Sequence, residues 1–146
     1  LARVALSDLI DEVIGASRTR EPQVQEPAPS VMPLHVLADR DRLRNVLLHI
    51  VQNAQEATRA DGLVRVDLRQ VGGDALISIE DDGVGKSPAF VRERLFRPFD
   101  STNGLSGMWI GAFESREVIR RLGGELSVDS QPQQGTCFRI RLPLAG

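Results

Sequence analysis

The chain has 146 residues and a formal net charge of −2, from 18 basic and 20 acidic side chains, and this length suits one domain with a sizeable core. It contains no block of basic residues, which argues against nucleic acid as the main partner. Lys86 is the only lysine and lies outside any Gly-x-x-x-x-Gly-Lys-Ser/Thr motif, which excludes a P-loop phosphate site.

No apolar run is long enough for a membrane span, and no signal peptide is present. Because the chain starts at Leu1, we expect a cytoplasmic domain of a longer protein. Any anchor in the inner membrane would lie in segments outside this chain. The single cysteine, Cys137, lies in a strand-like run, so we expect a reduced core residue and not a nucleophile.

The first thirty residues predict a lead-in helix and a linker. From Val4 to Ile14, apolar side chains recur with the spacing of one helical face. Residues 15–30 are polar and contain three prolines, which favours an extended connection. Residues 31–37 then have the pattern of a strand.

The strongest helical pattern runs from Asp41 to Arg59, with Asp39 as its expected N-cap. A second stripe of polar side chains follows the same spacing along a neighbouring edge of this helix. Such a row would suit a hydrated divalent cation and its phosphates, since magnesium prefers oxygen ligands and keeps several waters. The alternative is an ordinary solvated face. The stripe consists of Asn45, His49, Gln52, Asn53 and Glu56.

Residues 63–70 and 75–80 alternate around a Gly-Gly-Asp turn and predict a β-hairpin. Its second strand runs into Asp81 and Asp82, which are expected where pairing stops, and then into the Gly-Val-Gly sequence of residues 83–85. Glycines there could adopt positive φ and let a flat ligand approach. A carboxylate at that strand end could accept a hydrogen bond from an amine such as that of adenine. The competing interpretation is a surface turn.

A short helix is predicted over residues 88–95. Phe96 and Phe99 then flank Pro98, which fixes where the rings point. The rings could serve a binding site or simply fill the core. Residues 100–107 are polar and contain glycine, so they form a candidate mobile loop.

Residues 110–122 predict a helix that ends at a Gly-Gly pair. Because it begins beside a glycine-bearing loop, its first amides could face an anion. Residues 125–129 and 136–142 predict two strands joined by a turn around Pro132. Strands grouped into hairpins predict an α+β fold, with helices on one face of a mixed sheet.

Five segments together resemble the catalytic ATP-binding domain of sensor histidine kinases, within the superfamily that includes gyrase and MutL. HIVQNAQEA resembles the N box, DDGVG the first glycine box, LFRPFDST the F box, GMWIGA the second glycine box and QQGTCF the last. The resemblance covers Val31 to Pro143. Within these kinases, residues 107–130 are most similar to the PrsK-type kinases of PEP-CTERM exosortase systems.

The resemblance implies a two-layer α/β sandwich, the Bergerat fold, whose mixed, mostly antiparallel sheet is covered on one face by about three helices. Residues 31–143 would form the nucleotide-binding core, with ATP and Mg2+ as cofactors. Asn53 would ligate the metal, and His49 and Glu56, near the phosphates, are the only candidates for a catalytic role. Asp81 would receive the adenine amine. The full implied binding set is His49, Asn53, Glu56, Asp81, Gly83, Gly85, Phe99, Ser101, Thr102, Gly107, Gly111 and Thr136.

Four residues depart from the pattern of the family. His49 replaces a frequent Asn, Asn103 a common Lys of the lid, and Gln133 a frequent Gly. Trp109 stands at the middle glycine of the second glycine box. An indole there could block the phosphates and disfavour positive φ.

The implied reaction is transfer of the γ-phosphoryl group of ATP to a histidine on a separate helical dimerisation domain. That domain would lie upstream of this chain, the full protein would be a homodimer, and a response regulator would act downstream. His35 lies in a predicted strand and His49 in the N-box helix, so the isolated domain is expected to phosphorylate nothing. The alternatives are a degenerate nucleotide-binding or scaffold module and an anti-sigma-factor-like serine kinase.

Overall fold

A computed structural model describes residues 1–26, 33–85 and 112–145 of the chain. Helices and strands in these segments form one sheet of five strands, a second sheet of two strands, and three helices. Their bounds are β1 Ala2–Ala5, α1 Leu6–Ala16, β2 Val24–Gln25, β3 His35–Ala38, α2 Arg40–Ala57, β4 Val64–Val71, β5 Asp74–Asp81, α3 Ala112–Arg121, β6 Glu125–Gln131 and β7 Gly135–Pro143.

The larger sheet has the strand order β2-β4-β5-β7-β6. All its pairs are antiparallel except β2 with β4, which is parallel. The smaller sheet pairs β1 with β3 antiparallel. A mixed, mostly antiparallel sheet with helices packed on it confirms the predicted α+β class.

The core lies between the inner face of the larger sheet and the helices. In the centre of the sheet, Ile77 of β5 pairs with Ile140 of β7, and Ile79 pairs with Phe138. All four side chains are buried. Helix α2 packs on β5, α3 packs on β6 and α2, and α1 packs on α2. Each large apolar side chain buried in this way contributes roughly 1.5–3 kcal/mol.

Two short strands were missed by the sequence analysis. Val4 was assigned to the first helix, but it lies in β1 and pairs with Val36 of β3, so α1 begins at Leu6. The extended connection predicted over residues 15–30 was also wrong in part, because α1 continues to Ala16 and residues 24–25 pair with β4. Strands of two and four residues are too short for a period-2 pattern to identify them. Residues 27–30 lie outside the described segments.

Helix α2 begins one residue before its predicted start and ends two residues before its predicted end. The Asp39 cap is confirmed, since its side chain accepts a hydrogen bond from the Arg42 amide at 3.2 Å. The two predicted hairpins are present as β4–β5 and β6–β7, with ends shifted by up to two residues. The described part of the third helix begins at Ala112. The helix predicted over residues 88–95 and the loop of residues 100–107 lie outside the described residues.

Candidate functional site

Asp81 lies at the end of β5, on the inner face of the sheet. Its register partners are Val64 on β4 and Thr136 on β7, so Asp81 is still within the ladder. The expectation that both carboxylates follow the end of pairing is therefore wrong for Asp81. Only Asp82 comes after the strand, and its Oδ1 accepts a hydrogen bond from the Leu63 amide at 2.8 Å. The two adjacent carboxylates thus have separate surroundings, one on the inner face and one tied to the start of β4.

The Asp81 carboxylate is half-buried and has a perturbed protonation equilibrium. Burial is the main cause and raises its pKa to about 6, against the effect of the backbone amides of Gly83 and Thr136. The Gly83 amide donates to Oδ1 at 2.9 Å. The neighbouring charge of Asp82 raises the pKa further. At neutral pH the group is mostly ionised, so it is an acceptor held in a partly dry position.

Thr136 and Ser130 continue a row of polar side chains across the inner face from Asp81. Thr136 pairs with Asp81 on one side and with Ser130 of β6 on the other. Both hydroxyl residues are buried, and the two hydroxyl oxygens are 2.8 Å apart. Ser130 was not among the residues predicted from the sequence. Its signal was the alternation of β6, in which Leu126, Val128 and Ser130 share one face.

Gly83 and Gly85, which follow β5, pack closely against the backbone of other segments. A side chain at Gly83 would collide with the carbonyl of Ala57 at the end of α2, and one at Gly85 would collide with the carbonyl of Gln131. Positive φ was expected at both glycines but occurs only at Gly85, at 64°. The Val84 amide also donates to the Ala57 carbonyl at 3.2 Å. These glycines therefore allow α2, the end of β5 and the β6–β7 turn to pack together.

The residues of the polar stripe on α2 differ in how exposed they are to solvent. Asn45 and Glu56 are exposed, His49 and Gln52 are half-buried, and Asn53 is only 7% exposed. Asn53 lies one helical turn before the carbonyl that contacts Gly83, at the border of the core. No described residue hydrogen-bonds the side-chain amide of Asn53. Within the described segments its amide is therefore not committed to another residue.

Glu56 forms an ion pair with the segment between α1 and β2. Its carboxylate pairs with Arg20 at 3.1 Å, and both side chains are exposed. The adjacent Gln55, which the sequence analysis did not identify, is 2% exposed. Its Nε2 lies 3.1, 3.3 and 3.0 Å from the carbonyl oxygens of Ser17, Arg20 and Pro22, so its two hydrogens are shared among three acceptors. We call residues 17–22 the lead-in turn. Gln55 and Glu56 together attach it to α2.

The described residues do not contain a complete metal site. Within the described segments, no group of three or more His, Cys, Asp or Glu side chains could hold a metal ion. Asn53, the ligand expected from the sequence, would supply one amide oxygen. This fits a magnesium ion that keeps several waters and shares phosphate oxygens, because such ions use one or two protein ligands.

Cys137 is half-buried on the outer face of the sheet, so the expectation of a core position is wrong. Its register partners are Glu80 and Asp129. Burial raises the pKa of the thiol, Arg139 lowers it, and the nearby carboxylates raise it. The thiol is therefore protonated at neutral pH, which argues against a nucleophile. A cavity of about 200 Å³ at this end of the sheet is lined by Cys137 and by residues of the Asp81–Thr136–Ser130 row.

Gln133, where the family often has glycine, adopts a left-handed conformation with φ 63°. Its amide donates to the Val84 carbonyl at 2.6 Å and so joins the β6–β7 turn to the turn after β5. The remaining sequence-predicted residues lie outside the described segments. They are Phe96, Phe99, Ser101, Thr102, Asn103, Gly107, Trp109 and Gly111.

Comparison with known proteins identifies relatives of this chain. Residues 38–146 match the family described as histidine kinase-, DNA gyrase B-, and HSP90-like ATPase. The chain is 36% identical to the sensor protein TorS of Escherichia coli (strain K12) over 114 residues, which cover 77% of this chain and 12% of TorS. Among solved structures, the mycobacterial sensor histidine kinase MprB is 28% identical, with a TM-score of 0.83 over 98% of this chain and 97% of that one.

A second similar structure is full-length ShkA in complex with AMPPNP. It is 27% identical, with a TM-score of 0.81 over 99% of this chain and 31% of ShkA. The chain spans between 12% and 33% of the length of the curated relatives it matches. Within the described segments, no helix has both the length and the apolar character needed to cross a membrane.

Proposed function

The chain belongs to the family of histidine kinase-, DNA gyrase B- and HSP90-like ATPases, and on this premise we propose that it is the ATP-binding catalytic domain of a sensor histidine kinase. The observation that supports this most directly is the half-buried carboxylate of Asp81 beside Thr136. Groups with strongly perturbed pKa values cluster at functional sites. ShkA, a similar protein, has been solved with a nucleotide analogue.

We infer that the end of β5 receives the adenine base. The Asp81 carboxylate is held by the Gly83 amide at 2.9 Å and is mostly ionised at neutral pH. It is therefore poised to accept a hydrogen bond from the exocyclic amine of adenine. Partial burial strengthens such a bond, because water competes less for the carboxylate. Thr136, directly opposite in the ladder, would support the same edge of the base.

Asn53 is the proposed magnesium ligand. Its side chain is buried at the border of the core, and no hydrogen bond to another described residue occupies its amide oxygen. When bound, Mg2+ would neutralise the charge of the phosphates during transfer. His49 and Glu56 would lie near the phosphates or the metal waters. The contact with Arg20 orients Glu56 at an exposed position, where an ion pair contributes about 0–1 kcal/mol.

The remaining proposed nucleotide contacts are inferred from the sequence motifs. Phe96 and Phe99 would anchor the base of a lid that starts at Ser101 and Thr102. Gly107 and Gly111 would bring backbone amides to the phosphates. Gly83 and Gly85 would shape the entrance for the base by holding the turn close to α2 and to the β6–β7 turn.

The proposed reaction is transfer of the γ-phosphoryl group to a histidine of a helical dimerisation domain of the same homodimeric protein, which then signals to a response regulator. Residues 31–143 would form the nucleotide-binding core, and residues 1–30 would lead into it. The sequence of residues 107–130 supports a kinase of the PrsK type. Any membrane anchor would belong to other segments of the parent protein.

Titration with a fluorescent ATP analogue, with and without Mg2+, tests the site. We expect the parent chain to bind in the micromolar to millimolar range. Asp81→Asn should weaken binding by about tenfold or more, because one charged hydrogen bond is lost. Asn53→Ala should abolish the enhancement by Mg2+. Asn45→Ala, an exposed position on the same helix, is the matched control and should bind like the parent.

Two outcomes would contradict the proposal. One is a parent chain that binds no nucleotide and gains no binding from Trp109→Gly. The other is equal loss of binding in Asn53→Ala and Asn45→Ala. Gain of binding only in Trp109→Gly would indicate a degenerate nucleotide-binding module instead.

A further inference from the structure

The side chain of Arg20 extends from the lead-in turn to the polar stripe of α2. Its Nη1 lies 3.1 Å from Oε1 of Glu56. Glu56 follows Asn53, the proposed magnesium ligand, by three residues, so the two side chains are neighbours on the surface of the helix. The stripe itself contains no Lys or Arg. Within the described segments, the ion pair of Arg20 therefore brings a positive charge to this stripe from another part of the chain.

The backbone of Arg20 is held at a fixed position beside α2. Its carbonyl oxygen lies 3.3 Å from Nε2 of Gln55 and 3.0 Å from Nε2 of Gln23. Its amide donates to the carbonyl of Ser17 at 3.2 Å. Because Gln55 is 2% exposed, the turn is attached to the interior of the protein. A long side chain that starts from a fixed backbone loses less conformational freedom when it binds a ligand.

The guanidinium group of Arg20 has donors left for a further acceptor. It carries five N–H groups, and its one hydrogen bond to a described side chain runs from Nη1 to Glu56. The side chain is 46% exposed, so the other N–H groups can be reached from solvent. The planar guanidinium matches the geometry of phosphate oxygens, and the carboxylate of Glu56 fixes its orientation.

We propose that Arg20 binds the phosphate end of the nucleotide and that Glu56 orients its guanidinium group. This inference rests on the proposed nucleotide site. A triphosphate keeps a net negative charge when one Mg2+ is bound, and a guanidinium held beside the metal ligand would stabilise that charge. Asn103 stands where the family commonly has a lysine of the lid. Arg20 would supply a positive charge from the lead-in turn instead.

The experiment compares the affinities of ATP and AMP in the presence of Mg2+. Arg20→Ala should weaken ATP binding by about tenfold, because one charged hydrogen bond is lost, and should leave AMP binding nearly unchanged, because AMP lacks the two outer phosphates. Arg20→Lys keeps the charge without the planar fork and should give an intermediate affinity for ATP. Arg18→Ala is the matched control. Arg18 lies in the same turn but pairs with Glu26 at 3.6 Å, so its loss should not change the affinity for either nucleotide.

A Glu56→Gln background separates direct binding from an effect through Glu56. If Arg20 only restrained the carboxylate, Arg20→Ala would change nothing once that carboxylate is absent. Direct binding predicts that Arg20→Ala still weakens ATP and not AMP in this background. Circular dichroism of each variant establishes that it is folded.

The results distinguish the inference from the proposed function. If the parent chain binds neither nucleotide, the proposed function fails and the inference fails with it. If the parent binds ATP, three results overturn the inference alone: an unchanged affinity for ATP in Arg20→Ala, an equal loss for ATP and AMP, or an equal loss in Arg18→Ala. A loss that disappears in the Glu56→Gln background also overturns it. A loss for ATP alone that persists there supports a phosphate contact of Arg20.

Discussion

Replacing Asp81 by Asn should stabilise the domain, and the gain should depend on pH. The carboxyl pKa is raised from 3.8 to about 6, mainly by burial. The folded state therefore holds this proton more tightly than the unfolded state. Between pH 3.8 and pH 6 the parent chain loses stability as the pH rises, because ionisation of Asp81 opposes folding. A shift of about two units corresponds to roughly 3 kcal/mol at pH 7, as an upper limit.

Urea unfolding of the parent chain and of Asp81→Asn, followed by circular dichroism from pH 4 to pH 8, measures this difference. Asn has no charge at any of these pH values and keeps an acceptor for the Gly83 amide. The free energy of unfolding of the variant should be slightly larger than that of the parent at pH 4. The difference should grow up to pH 6 and stay constant above pH 6. Asp11→Asn, at an exposed carboxylate of α1 that does not affect the Asp81 pKa, is the control and should show no such gain.

A difference that does not change with pH would refute the raised pKa. A parent chain that is more stable than Asp81→Asn at pH 7 would refute the conclusion that the charge opposes folding. A stability gain together with loss of nucleotide binding is the combination expected of a functional carboxylate, since binding groups are often held in positions that destabilise the fold.

Three further substitutions test the packing around the site, each by urea unfolding. Gln133→Gly should stabilise the chain by about 0.5–1 kcal/mol, because glycine adopts the left-handed conformation of this position without strain. Gln134→Gly should destabilise the chain, and equal changes in stability for the two variants would contradict the strain at Gln133. Gly83→Ala should destabilise the chain by roughly 2 kcal/mol or more, because the new side chain would collide with the last carbonyl of α2. Gly73→Ala should change the stability little, because the space around Gly73 is open. Gln55→Ala should destabilise by about 1–3 kcal/mol and increase hydrogen exchange in the lead-in turn, and unchanged exchange there would contradict its role.

Features encoded by local periodicity were predicted correctly. Helix α2, its Asp39 cap and the two hairpins follow from patterns that repeat within a few residues. The ordered set of motifs led to the family of sensor histidine kinase ATP-binding domains, and the comparisons confirm it. The alternatives of a degenerate module and a serine kinase are not favoured by these relatives.

Features that depend on distant partners were wrong or missing. The strands β1 and β2 exist only because β3 and β4 pair with them. Cys137 was expected in the core, but the register places it opposite Glu80 and Asp129 on the outer face. Gln55 is polar in the sequence, and only the lead-in turn packed against it makes it one of the most buried residues of α2.

By itself, then, the sequence determined where Asp81 stands along the chain and which residue types surround it. Only the tertiary structure decided that Asp81, Thr136 and Ser130 form one row and that burial raises the Asp81 pKa. The reason is physical. Local patterns specify which face of a strand a side chain takes, whereas burial and hydrogen-bond direction depend on the elements that pack against it from elsewhere in the chain.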